Sequence, residues 1–111
     1  MGTARMRRVN EAIREILGDA ITTELKDPRI GFVTVTEVDT SPDLRAARVY
    51  VSVLGSPEER ESSLAGLRSS HGVLQGKIAS GMRLKRTPTL TFEYDESVDR
   101  GARISRLLDD E

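Results

Sequence analysis

Cysteine and tryptophan are absent from this chain, histidine occurs once, at His71, and the only aromatics are two phenylalanines and two tyrosines. Without a thiol there is no disulfide, no thiolate nucleophile and no Cys-ligated zinc. A lone histidine makes no metal site, and any Ser-His-Asp relay would depend on His71 alone. The four aromatics, Phe32, Tyr50, Phe92 and Tyr94, all fall in strand-like segments and are too few for the stacking platform of a single-strand binder. No eighteen consecutive residues are apolar and no apolar run follows the charged start, so neither a membrane span nor a signal peptide is expected, and the expected location is the cytoplasm. Nothing calls for a cofactor or a small-molecule substrate. A length of 111 residues corresponds to a single domain, residues 1–111.

One further absence is local. From Ser62 to Phe92, 31 residues contain no Asp or Glu but five cations, Arg68, Lys77, Arg83, Lys85 and Arg86. The remaining 80 residues hold twelve cations and all eighteen acids, so a net charge of −1 is divided into +5 here and −6 elsewhere. Such a separated field attracts polyanions although the chain as a whole is acidic. Arg5, Arg7 and Arg8 add a second cluster, on the first turns of a helix where cations oppose the dipole and contribute nothing to stability. Arg83, Lys85 and Arg86, with Lys77 and the arginines at 5, 7 and 8, form the expected nucleic-acid-facing surface, with shape and phosphate contacts fitting better than base stacking.

Periodicity places the elements. Met6, Val9, Ile13, Ile16, Leu17, Ala20 and Ile21 recur at helical spacing over Arg5 to Leu25, and Pro28 stops that helix near Lys26. Residues 32–38 read as a strand, Asp39 to Asp43 as a turn, and Leu44 to Leu54 as a second, antiparallel strand with Ala47, Val49, Val51 and Val53 inward. Ser56, Pro57 and Glu59 spell a capping box that opens a helix. Its apolar row continues through Leu64, Leu67, Leu74 and Ile78, but helix propensity collapses at Ser69, Ser70 and Gly72, which predicts a kink. A second helix follows over Val73 to Met82, then a strand over Thr89 to Tyr94 that Pro88 opens. Ile104, Leu107 and Leu108 predict a short helix within a C-terminal extension, about 97–111.

This order resembles the ribosome-binding factor A family, bacterial assembly factors of the small ribosomal subunit. The resemblance is carried by Lys26, Asp27, Pro28, Arg29, Ile30 and Gly31, by Ser41, Pro42, Asp43 and Leu44 leading into Ala47 to Val51, and by Met82 to Arg86 with Pro88, Leu90, Phe92 and Asp95. It implies an α+β, type II KH-like domain of order α-β-β-α-kink-α-β, with a three-stranded sheet packed on helices. KH domains grip a nucleic-acid backbone with a Gly-x-x-Gly loop. This chain has none, and the family's Ala-x-Gly kink is assigned to Ser70, His71 and Gly72, which fall between the helical segments. Ala79, Ser80 and Gly81 match by letters but would leave no full helix before Met82. Ser70 replaces the family's alanine, and Gln75 stands where an arginine is usual.

The resemblance further implies a monomeric, non-enzymatic protein that binds the free or immature 30S subunit through its 16S rRNA. It would assist 5′-end maturation and late assembly, including growth in the cold. Gly72, Gly76 and Lys77 only superficially match a phosphate-binding loop, since the spacing is one residue short and no Ser or Thr follows Lys77. Two other readings stay open at this stage: a KH-like RNA binder with no tie to ribosomes, and a protein-interaction module whose basic face meets an acidic partner.

Overall fold

The Thr3 hydroxyl accepts the Met6 N–H at 3.2 Å and caps α1, Ala4–Thr23, in a computed structural model that describes residues 3–97. Val9, Ile13, Leu17, Ala20 and Ile21 are the buried stripe of this helix. The helix ends slightly before the expected position. The Thr22 and Thr23 hydroxyls bond back to the Gly18 and Asp19 carbonyls, and Glu24 closes the last turn ahead of Pro28.

The chain then forms β1, Phe32–Thr40, and β2, Ala46–Leu54, paired antiparallel from Phe32 opposite Leu54 to Thr40 opposite Ala47. A bulge between Val35 and Glu37 resets the alternation, so that Val35, Val38 and Thr40 are buried in one strand although 35 and 38 are three apart. This is why β1 runs two residues beyond the expected 32–38. In contrast, β2 begins at Ala46 and not at Leu44, because Leu44 has a φ of +60° and belongs to the turn. There the Ser41 hydroxyl bonds Asp43 and accepts the Ala46 N–H. Ala47, Val49, Val51 and Val53 all point inward, as the alternation requires.

Gly55, at a φ of +138°, makes the exit that only glycine adopts freely, and the expected capping box follows. The Ser56 hydroxyl accepts the Glu59 N–H while the Glu59 carboxylate accepts the Ser56 N–H, opening α2, Pro57–Ser69. One residue, Ser70, separates α2 from α3, His71–Gly81. Its N–H still bonds Gly66 and Leu67, and its carbonyl already accepts from Leu74. The break is therefore tighter than the sequence implied. Gly72 lies inside the first turn of α3, its φ is not left-handed, and a Cβ built there meets nothing within 4 Å, so the bend does not depend on glycine at that position.

The α2–α3 pair is a crossover, and it returns the chain to form β3, Thr89–Tyr94, parallel to β2 in a sheet of order β1-β2-β3. Helices cover one face of the sheet. Between the layers lie Ile13, Leu17, Val49, Val51, Leu67, Leu74 and Ile78, all essentially inaccessible. The outer edge of β3 is closed by side chains: Gln75 donates to the Pro88 carbonyl at 2.6 Å and accepts the Leu90 N–H at 3.0 Å, and Arg68 donates to the Phe92 carbonyl. This α-β-β-α-α-β arrangement is the expected α+β, type II KH-like fold. The helix expected within about 97–111 lies outside the described residues.

Candidate nucleic-acid interface

Three contacts determine where the cations stand. The Asn10 side chain of α1 accepts the Thr40 N–H at 3.0 Å, Thr40 pairs with Ala47, and the Thr89 N–H bonds the Arg45 carbonyl at 2.9 Å. The first half of α1, the β1–β2 turn and the start of β3 therefore share one end of the molecule. The segment 82–88 leaves α3 where Gly81 packs against Ile16 of α1 and arrives at Thr89 beside Arg45. Arg83, Lys85 and Arg86 are exposed on that segment, and Leu84 between them turns back onto the core.

Arg5, Arg7 and Arg8 lie upstream of Asn10 on the same helix and are exposed at the same end. The first turn of α1 holds no acid, and among the described residues none of these six cations has an ion-pair partner. Arg45 joins them, with a side chain 65% exposed and only a 3.7 Å contact to Asp43. Sequence reasoning missed it because it lies outside the acid-free stretch. The signal that could have found it is its place in the turn preceding β2.

The remaining expected residues fall elsewhere. Lys77 is half-buried, and its Nζ is 3.0 Å from Glu24 Oε1 at the far end of α1, so its charge is already matched. Ser70, His71 and Gly72 stand over the outer edge of β3, where His71 shares a shallow pocket with Arg68, Leu90 and Phe92. Arg68 is engaged with the β3 backbone. Gln75, at the position where an arginine was expected, is a structural clamp on the same edge.

The segment Lys26–Gly31, the most recognisable motif of the sequence, performs architecture. The Arg29 guanidinium and backbone N–H both bond the Asp27 carboxylate, and this pairing holds its pKa below the usual carboxylate range. The Ser63 hydroxyl, buried on α2, accepts the Gly31 N–H at 3.0 Å and reaches the Arg29 carbonyl. Gly66 leaves room for Ile30, whose Cγ1 would stand 2.6 Å from a Cβ at that position. The motif thus fastens the α1–β1 connection to α2, at the end opposite the free cations.

The arrangement is suited to holding a polyanion: separate, solvent-exposed cations at one end can contact phosphates without reading bases. Among the described residues there is no cluster of three His, Cys, Asp or Glu of the kind that binds a metal. No described helix is long and apolar enough to cross a membrane.

Comparison with known proteins places this geometry in context. The family model for ribosome-binding factor A matches residues 5–108. The crystal structure of ribosome-binding factor A from Thermus thermophilus is similar over 80% of this chain and 93% of its own, at 27% identity and a TM-score of 0.72. A Thermotoga maritima protein solved in solution is 36% identical, with 84% of this chain and 89% of that one covered and a TM-score of 0.75. A Thermus thermophilus ribosome-binding factor A homology model fitted into the electron cryo-microscopy map of its 30S complex is 28% identical. It covers 78% of this chain and 91% of its own, with a TM-score of 0.65.

Proposed function

The chain belongs to the ribosome-binding factor A family, and from that membership we propose that it binds the small ribosomal subunit, favouring the free or immature 30S particle over complete ribosomes. The observation that carries this reading is the set of exposed cations, unmatched among the described residues, at one end of a fold whose relative has been fitted into a 30S complex. In this reading Arg5, Arg7, Arg8, Arg83, Lys85 and Arg86 contact 16S rRNA phosphates. Lys77, whose charge meets Glu24, is the weakest member of the set. The chain acts as a monomeric, single-domain cytoplasmic binder and not as an enzyme. Its effect on 16S rRNA, 5′-end maturation and late assembly with a role in the cold, follows from holding the immature particle in a processable form.

Co-sedimentation tests this directly. The expected result is pelleting with free small subunits in preference to complete ribosomes, and release by RNase. Equal binding to any RNA would favour a KH-like binder with no tie to ribosomes. Binding that resists RNase altogether would favour a protein-interaction module.

A further inference from the structure

Arg83, Lys85 and Arg86 lie on a segment whose two ends are fixed. At the entry, Gly81 packs so closely on α1 that a Cβ would stand 3.0 Å from Ile16 Cδ1, and the Met82 N–H bonds the Ile78 carbonyl at 3.1 Å. At the exit, Pro88 is fully buried, its carbonyl accepts from Gln75, and the Thr89 N–H bonds the Arg45 carbonyl. Between these ends the hydrogen bonds stop. Among the described residues, none reaches any group of Arg83, Leu84, Lys85, Arg86 or Thr87. Leu84 is the one apolar side chain between Met82 and Pro88, and it is half-buried against the core.

The charge on the segment makes that hold matter. Arg83, Lys85 and Arg86 put three cations within four residues, and no acid lies between Ser62 and Phe92 to neutralise them. A charged segment without an anchor repels itself and samples many arrangements. Leu84 stands between Arg83 and Lys85, so its packing fixes the backbone from which both exposed neighbours leave. Cations already held in place bind a polyanion more tightly than the same cations on a loose strand, because the loose strand loses its conformational freedom at the moment of binding.

We infer that Leu84 is a positioning residue for RNA: pinned to the core, it presets Arg83, Lys85 and Arg86 for a phosphate backbone while touching no RNA itself. This inference rests on the small-subunit reading. A leucine that served the core alone would set stability and leave the affinity of the folded chain untouched. A positioning leucine sets affinity without changing the number of phosphates contacted, and that number is what the salt dependence counts.

The test compares the full chain with Leu84→Ser and Leu84→Met, each checked by circular dichroism, for binding to purified small subunits across a salt series. Leu84→Ser should bind roughly tenfold more weakly, the scale of ordering one or two loosened residues, with the slope of log affinity against log salt unchanged. Leu84→Met, which keeps an apolar side chain of similar volume, should restore binding. Backbone order parameters of residues 83–87 in the unbound chain need no RNA and should be about 0.85 in the parent and below about 0.6 in Leu84→Ser. If Leu84→Ser does not fold at the assay temperature, Leu84→Ala takes its place with the same expectations. Parental affinity in the folded variant, a shallower salt slope, no recovery in Leu84→Met, or a parent segment that is already flexible each overturns the proposal. A parent chain that does not bind small subunits ends the small-subunit reading and this inference together; a parent that binds, with any of those four outcomes, ends this inference alone.

Discussion

At the end formed by the first half of α1 and the β1–β2 turn, Arg5, Arg7, Arg8, Arg83, Lys85 and Arg86 are exposed and, among the described residues, unmatched. At the opposite end, Arg29 is gripped by Asp27 and Lys77 reaches Glu24. The cations at the two ends are of the same types, and their difference is one of partners. Where a guanidinium finds a carboxylate and a neighbouring backbone, it organises a loop. Where it finds neither, its field extends into solvent and is available to a polyanion. The exposed ion pairs themselves contribute little to stability, typically about 0–1 kcal/mol, so the distinction concerns binding more than folding.

The most severe way to break this contrast is to reverse the free cations. Arg83→Glu, Lys85→Glu and Arg86→Glu together should weaken small-subunit binding by roughly a hundredfold or more and flatten the dependence of log affinity on log salt by about two to three units. Circular dichroism should be unchanged, because all three side chains are exposed. A folded triple variant that binds with an unaltered salt slope would show that these cations are only a solvated surface.

The braced end should respond in the opposite sense, with stability lost and salt dependence retained. Gly66→Val places a branched side chain where even a Cβ would stand 2.6 Å from Ile30 Cγ1. Overpacking of this kind costs about 1–3 kcal/mol, and valine gains less helix propensity than alanine to offset it. A lowered thermal midpoint is expected, and an unchanged one would mean that the Ile30 connection relaxes freely.

Gln75→Ala sharpens the comparison at the β3 edge. Removing both hydrogen bonds to Pro88 and Leu90 should destabilise the fold by about 1–2 kcal/mol in denaturant titration. The salt slope of subunit binding should stay as it is. A shallower slope at full stability would make Gln75 an RNA contact after all.

The smallest effect is expected at the helix junction. Gly72 is exposed in the first turn of α3 with open space around it, so Gly72→Ala should raise stability by about 0.5 kcal/mol. A thermal midpoint below that of the parent chain would restore the sequence-based view that glycine is needed for the bend.

Much of this was legible in the sequence because it depends on local chemistry. The capping box at Ser56 and Glu59, the inward valines of β2 and the limits of β3 need only neighbouring residues to be decided. The bulge at the centre of β1 was not legible, since the buried positions 35, 38 and 40, three and then two apart, break the strand alternation only where β2 fixes their register. The positive φ of Leu44 was hidden for a similar reason: leucine has no preference for that conformation, and the Ser41 and Asp43 hydrogen bonds impose it.

The candidate site divides along the same line. Composition alone determined that residues 62–92 lack acids, that no thiol or histidine pair is available for chemistry, and that the first turns of α1 are cationic. Only the tertiary structure decided which cations are free. Glu24 is 53 residues from Lys77, and the Phe92 carbonyl is 24 residues from Arg68, yet both contacts are direct. A count of charges along the chain cannot register such partners, because Coulombic and hydrogen-bond energies depend on separation in space. The parallel pairing of β3 with β2 and the packing of α3 against α1 created those separations, and with them, among the described residues, a basic end without ion-pair partners and a braced end whose cations are paired.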